Sequence, residues 1–486
     1  MLLTVIGSYY VFATAPSSTF TISPGIYPGA PSYTIWREGD YYFAKNSNGK
    51  IEFCGTNASQ VIINAIQPNS KIFLKAGVYT IDSTITKAVD NVIIEGEGNG
   101  TIIKVADNTP INAFNITDVS GWVIRNLQID GNRANQVNQD DFNIQNGIMI
   151  GNAAGTSIVT DVTIENVFIH SLWANGIMAR SSNIQRLRIQ HCTIKDTYGD
   201  GITVRLGQDV IISENTLINC GHVYQNFGGS GTKRHAIYIY GSNFIIANNI
   251  ILNSGGDGIE AYPLSNGTIT DNVIVQAGRI GIYVQQVSGQ GKRVTVSGNT
   301  IAGAGVNRTD AEWLYGIHIV GGSVAVVGNS VWDVPAVGIY IASGADNSTI
   351  EGNVIQNVEG KGIVVYQCNY VTISGNTIRH VYNGSGSGIG IGIQQSNYTT
   401  ISGNTIVDCG RYGIDLYNAL YTNIIGNTII AASYNMDYGI RESHPSDDYN
   451  TIIGCNVWGT YTYVPIQIQG VNTEVHLCYN GTSWIP

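Results

Sequence analysis

Asp200, His235 and Asp257 share one recurring place, immediately ahead of a small residue and an isoleucine, in Asp200-Gly201-Ile202, His235-Ala236-Ile237 and Asp257-Gly258-Ile259. Glu260 follows three residues after Asp257. An imidazole between two carboxylates has its pKa raised and serves as a proton donor or shuttle. Paired carboxylates suit acid/base work on glycosides, and flat aromatic faces suit sugar rings. Tyr238, Tyr240, Tyr262, Tyr283, His318 and Tyr340 supply such faces in the same pattern, with Arg205 and Arg234 among them. Lys233 and Arg234 read either as loop charges or as partners for uronate carboxylates. A hydrolase would use Asp200 with Asp257 or Glu260 as acid and base. Two repeats separate Asp200 from Asp257, roughly 9–10 Å at the backbone, and a carboxyl spacing of about 6.5–9.5 Å suits inversion. A lyase would place calcium (Ca2+) on the carboxylates, with Arg234, Lys233 or His235 near the abstracted proton; no other metal site or cofactor is indicated.

An architectural reading stands beside this one. Asn146-Gly147, Asn175-Gly176, Asp200-Gly201 and Asp257-Gly258 fill one column, and such pairs are what a tight turn needs. Tyrosine on the surface of a tyrosine-rich chain is also ordinary packing. His235 breaks the turn pattern, because Ala236 stands where the other copies have glycine.

The residues share a column only if the chain repeats. One phrase recurs as VTVSGNTI (294–301), VAVVGNSV (324–331), STIEGNVI (348–355), VTISGNTI (371–378), TTISGNTI (399–406) and TNIIGNTI (422–429), with weaker copies at 210–217, 244–251 and 267–274. A second phrase, Gly-Ile-x-Val/Ile, falls between these, from GIMI (147–150) to GIRE (439–442). Period-two runs of Ile and Val are strands with one buried face. Three short strands and three turns in about two dozen residues make one coil of a β-solenoid. Adjacent coils bond about 4.8 Å apart, so the recurring Asn stacks into an amide ladder inside the rod. The ladder Asn is expected at a tight turn, in left-handed geometry. The expected fold is all-β: a right-handed parallel β-helix of about 12–14 coils. Residues 1–31 read as an extended segment, a strand or an oligomerisation arm. Residues 32–56 read as a β-meander, 57–470 as the β-helix, and 471–486 as the last coil and cap. NASQVIINAI (57–66) predicts a helix that covers the open end of the solenoid, with capping-box-like spacing of Asn57 and Gln60.

Charged residues make up only 12% and the net charge is −10, so a nucleic-acid footprint is absent. Gly (59) and Tyr (28) are abundant, which suits an extracellular β-protein. Nine Asn-x-Ser/Thr sequons, at Asn57, Asn99, Asn115, Asn266, Asn307, Asn347, Asn383, Asn397 and Asn480, permit export and glycosylation. Residues 1–15 resemble part of a signal peptide without a basic start, and no segment reads as a membrane span. Among the seven cysteines no CxxC pair occurs. Cys455 and Cys478 both align with the Asn column, and stacking about 4.8 Å apart predicts a disulfide there; two buried thiols are the alternative.

The predicted helix followed by SKIFLKAGVYTI (70–81) resembles the opening of the pectate-lyase-like superfamily of right-handed β-helix proteins, and the ISGNTI coils resemble its repeat. The resemblance covers roughly residues 55–470. It implies a polysaccharide cleft on the Gly-Ile strand, walled by the loops 131–145, 220–234 and the expanded coil between Asn299 and Asn329. The polygalacturonase motif set and the alginate-epimerase Asp-Pro-His-Asp motif are missing, so the resemblance names no reaction. The expected function is a secreted or cell-surface polysaccharide hydrolase or lyase working in that groove. The alternative is a non-catalytic adhesin, filament or envelope subunit, or viral spike, with homo-oligomers formed through residues 1–31.

Overall fold

The computed structural model describes residues 29–486 apart from 140, 222–233, 287–292, 307–313, 383–387, 480–483 and 486. The expectations for the first 28 residues, for Lys233 and most of the loop 220–234, and for Asn307, Asn383 and Asn480 fall outside the described residues.

The Gly-Ile phrase generates the core. Twelve isoleucines from Ile148 to Ile440 stand directly above one another, among them Ile202, Ile237, Ile259, Ile282 and Ile317, and all are fully buried. Each such side chain contributes about 1.5–3 kcal/mol of burial. The glycine ahead of every one of these isoleucines but Ile237, which follows Ala236, is there for closeness. A Cβ on Gly281 would lie 2.6 Å from the Gly316 carbonyl and 2.5 Å from Ile301 Cγ2. Parallel strands pair coil to coil along the chain, giving a right-handed parallel β-helix of about 15 turns. The count slightly exceeds the expected 12–14; the earliest turns, built from strands such as Ser70–Leu74 and Val92–Gly96, lack the Asn phrase.

The Asn ladder runs unbroken through Asn215, Asn249, Asn272, Asn299, Asn329, Asn353, Asn376, Asn404 and Asn427. The Nδ2 of each donates to Oδ1 of the next at 2.9–3.0 Å. That same Oδ1 accepts the backbone N–H of the preceding ladder residue, as Asn353 Oδ1 does from Asn329 at 2.9 Å. The expected left-handed geometry belongs to the residue before the Asn. Gly352 has φ 63° and Gly375 φ 63°, while no ladder Asn has positive φ. The turn is made one residue early, which leaves the Asn side chain pointing inward.

Cys455 and Cys478 extend this column, but the predicted bridge is not formed: both are buried free thiols. The two thiols interact as neighbours in the column without forming the bond, which needs a specific Cβ and χ3 geometry. Each sulfur also faces carbonyls, Cys455 Sγ to Ile424 O at 3.6 Å and Cys478 Sγ to His476 O at 3.4 Å.

The N-terminal end is closed as its sequence indicates. Strands Tyr33–Glu38, Tyr41–Asn46 and Ile51–Gly55 form an antiparallel meander. Its first strand also pairs in parallel with Ser70–Leu74, which joins the meander to the solenoid sheet. The helix spans Ala58–Ala65, and Asn57 Oδ1 accepts the Gln60 N–H at 2.9 Å. The Gln60 side chain turns to Asn64 instead of completing the box. Asn57 Nδ2 is spent on Asp82, at 2.7 and 3.0 Å, which leaves this sequon without a free amide. No helix among the described residues is long and apolar enough to cross a membrane.

Removing one ladder amide strands several partners at once. Asn353→Ala is expected to lower stability by about 3 kcal/mol or more, since the Asn329 N–H and amide and the Val326 carbonyl all lose a buried bond. Exposed Gln356→Ala, at a strand position with ordinary backbone, should cost less than about 0.5 kcal/mol. Urea unfolding of the two variants checks the contrast.

Candidate functional site

The register that stacks the isoleucines also aligns the residues around them. The position after each isoleucine reads Met149, Met178, Thr203, Tyr238, Glu260, Tyr283, His318, Tyr340 and Val364 on successive rungs. Two residues further along the strand, Arg180, Arg205, Tyr240 and Tyr262 form a parallel file.

The position before the glycine is a second ladder. Asn112 Oδ1 accepts the Asn146 N–H, Asn146 that of Asn175, Asn175 that of Asp200, and Asp200 that of His235, at 2.7–3.0 Å. His235 Nδ1 then accepts the Asp257 N–H at 3.2 Å, and Asp257 Oδ1 accepts that of Ile280 at 3.0 Å. Asp200, His235 and Asp257 therefore do lie in one file. None of Asn146, Asn175, Asp200 and Asp257 has positive φ, so the tight-turn reading is replaced by another architectural one. Each side chain supplies an acceptor for the next coil, a role that Asn, Asp and a neutral imidazole all fill.

The carboxylates differ in what remains free. Asp200 also accepts from Thr203 Oγ1 at 2.6 Å. Asp257 is fully buried and clamped by Arg279, whose Nε donates to Oδ1 at 2.6 Å while Nη2 donates to Oδ2. Glu260 faces away from the ladder. Its Oε2 lies 2.5 Å from His235 Nε2, and its Oε1 accepts from Tyr262 Oη at 2.7 Å. It is 6% exposed, as is His235. Burial raises the Glu260 carboxyl, but the bond and charge of His235, with Tyr262 and Arg279, outweigh it and hold the group below its ordinary range. Burial likewise lowers His235, and the Glu260 bond with the charges of Asp257, Glu260 and Asp200 reverses the direction. In the neutral imidazole Nδ1 keeps its lone pair for the ladder, so the proton sits on Nε2, toward Glu260. A second proton would enter at Nδ1, drawn by Asp257 Oδ2 at 3.5 Å and opposed by the ladder bond.

Tyr238, Tyr240, Tyr262 and Tyr283 are half-buried around this pair, and Tyr315 and Tyr340 are half-buried two and three rungs beyond Glu260. Tyr262 sits 5.7 Å from Tyr238 and 6.3 Å from Tyr283, centroid to centroid. The Tyr262 phenol is pushed well up, by burial first and by Glu260 next, so it keeps its proton. His318 departs from the expected substrate-contacting role. It is fully buried between Tyr283, Tyr315 and Tyr340, at 4.9–5.1 Å, and burial lowers its pKa to about 3. It is a neutral packing ring. Arg205 lies over Tyr238 at 5.7 Å and Arg234 over Phe142 at 3.6 Å. The Nε atoms of both are buried without a hydrogen-bond partner among the described residues. Burial lowers the Arg234 pKa, with Asp200 opposing and Arg205 adding to the shift.

Arg279 was not singled out by the sequence reading. Its signal lay one column earlier, where Arg234, Gly256 and Arg279 precede His235, Asp257 and Ile280. The Arg279 N–H donates to the Gly256 carbonyl at 3.1 Å, which confirms the stacking.

His235, Asp257 and Glu260 bring possible ligand atoms within 4.8 Å of one another. The set does not fit calcium, which takes six to eight oxygens. One donor is an imidazole nitrogen, and both Asp257 oxygens already carry the Arg279 guanidinium.

The sequence matches the family described as "right handed beta helix region" over residues 112–231, 146–330 and 315–479. No curated protein matches it. Among solved structures, the pre-mature gene product 12 of bacteriophage phi29 is similar at TM-score 0.58 and 13% identity, covering 89% of this chain and 56% of that one. The catalytic domain of a GH87 α-1,3-glucanase, solved with tetrasaccharides, gives TM-score 0.50 and 17% identity over 79% of this chain and 71% of that one. The GH87 α-1,3-glucanase catalytic unit from Streptomyces thermodiastaticus gives 0.50 and 16% over 72% and 65%. At these identities the likeness is one of fold.

The His235–Glu260 pair predicts a pH signature. Glu260, with its folded pKa lowered, contributes stability above about pH 4.3 and loses it as pH falls through the folded value; His235, with its pKa raised, contributes below about pH 6.5 and loses it as pH rises through the folded value. The gap in urea midpoint between the parent chain and Glu260→Gln should be widest at about pH 4.5–6.5. A gap independent of pH would show that the pair is not ionic.

Proposed function

The chain belongs to the right-handed β-helix family, and we propose that it is an extracellular polysaccharide lyase whose reaction centre is Glu260 with Tyr262, positioned by His235. One observation carries the reading: Glu260 is the carboxylate of the cluster spent neither on a guanidinium nor on backbone, and it is held between an imidazole and a phenol. An inverting hydrolase needs a second working carboxylate. Asp200 and Asp257 have their oxygens occupied, which disfavours that route.

β-Elimination needs one base, one acid and a cation for the substrate carboxylate. Glu260, held ionised, takes the proton next to the uronate carboxylate. The carbon–carbon double bond forms as the glycosidic C–O bond breaks, and Tyr262 donates its proton to the leaving oxygen. Arg205, two rungs from Tyr262, and Arg234 supply guanidiniums for uronate carboxylates, with no hydrogen-bond partner at Nε among the described residues. Tyr238 and Tyr283 flank the centre as stacking surfaces.

A second reading, saccharide binding without turnover, draws on the engagement of Asp200, His235 and Asp257 in the coil ladder.

The test is release of unsaturated uronate from polygalacturonate, alginate and glucuronate polymers. Glu260→Gln is expected to lose at least about 100-fold in turnover. Arg205→Ala should act mainly on KM. Undiminished turnover in Glu260→Gln would refute the assignment, and polymer binding with no unsaturated product from the parent chain would establish the second reading.

A further inference from the structure

The strand file that carries Glu260 continues for six rungs through Tyr283, His318, Tyr340, Val364 and Gly392 to Asp415. That places Asp415 about 29 Å further along the rod. Gly392 is a missing tooth in the file: a Cβ there would meet nothing nearer than Ile389 Cγ2 at 3.8 Å. Beside that gap lies an open pocket of about 250 Å³ lined by Tyr366, Gln394, Gln395, Asp415 and Tyr417. Tyr366, Gln394 and Tyr417 stand on successive rungs, so one wall is an amide between two phenol rings.

Asp415 is itself in an unusual state. It is only 7% exposed, and its Oδ1 is buried with no hydrogen-bond partner among the described residues. The nearest cationic atom, Arg441 Nη1, is 3.9 Å from that oxygen, too far for a hydrogen bond. The Arg441 guanidinium is spread over the rings of Tyr412 and Tyr438, at 4.5 and 5.6 Å. Burial pushes the Asp415 carboxyl up to about 6, against the pull of Arg441 and Lys361. A buried carboxylate short of donors, on the wall of a pocket, gains when a ligand brings it one.

We propose that this pocket is a second saccharide subsite, which takes one uncharged glycosyl unit between Tyr366 and Tyr417, with its hydroxyls donating to Asp415 and meeting Gln394 and Gln395. The chemistry selects among ligands. Arg441 and Lys361 beside Asp415 disfavour a metal ion or an ammonium group. The carboxylate disfavours a uronate. A ring of hydroxyls matches the mixed donors and acceptors and fits a pocket of this size. The subsite uses none of the residues of the proposed reaction centre, and it holds whether or not that centre cleaves uronates.

The test is calorimetric titration of the full chain with the neutral hexaoses of glucose, mannose and galactose, and with a galacturonate hexamer. At least one neutral hexaose should bind. Gly392→Leu, which fills the gap, should weaken it by about tenfold or more. Asp415→Asn and Gln394→Ala should each weaken it as well, and Gln394→Ala decides the matter if Gly392→Leu lowers the unfolding midpoint. The proposal is overturned if no neutral hexaose binds at about 10 mM, if only the galacturonate hexamer binds, or if Gln394→Ala and Asp415→Asn bind as tightly as the parent chain.

Discussion

Each ladder asparagine donates its amide N–H to the next and accepts, on one oxygen, both an amide and a backbone N–H from its predecessor. Asn329 Oδ1 receives both at 2.9 and 3.0 Å from Asn299, and Asn353 Oδ1 does the same for Asn329. A coil that slipped by one residue would break these bonds together and turn its isoleucines outward. The ladder therefore fixes register. Register in turn decides which residues far apart in the chain become neighbours, including Asp200 with His235 and Gly392 with Asp415.

The second ladder shows how chemistry and architecture share a column. Asn112, Asn146 and Asn175 each accept the backbone N–H of the next coil, and the Asn146 and Asn175 amides donate back to the Asn before them. Asp200, His235 and Asp257 continue that service with ionisable groups. The substitution has a cost, since a buried carboxylate needs compensation. Asp200 obtains it from Thr203 and Asp257 from Arg279. His235 supplies its second nitrogen to Glu260, which leaves one ionised group facing the tyrosine-lined surface. The file ends as an acceptor series at Ile280, which has no side-chain oxygen to offer.

Exposed tyrosine divides into two kinds. Tyr370, Tyr398, Tyr421 and Tyr449 stack face to face at 4.9–5.2 Å, with interplanar angles of 3–14°. Their faces are spent on each other, and their main role is an outer brace parallel to the inner Asn ladder. Around Glu260 the rings meet at 43–90°, and around Asp415 an amide separates Tyr366 from Tyr417. Those rings keep surface available for a ligand.

The sequence by itself determined the solenoid, the Asn column and the order of the outward files, because a strict repeat in side-chain type can be satisfied only by coils that stack like on like. It also brought Asp200, His235, Asp257 and Glu260 together, since the first three share the position ahead of the Gly-Ile phrase and Glu260 follows Asp257 by three residues. Only the tertiary structure decided what each group is bonded to. The Arg279 clamp on Asp257, the burial of His318 and the unbridged Cys455 and Cys478 depend on side-chain direction and on partners from other coils. A pattern of residue types does not encode those distances, because the same column position serves equally for a hydrogen-bonded strut and for a free reactive group.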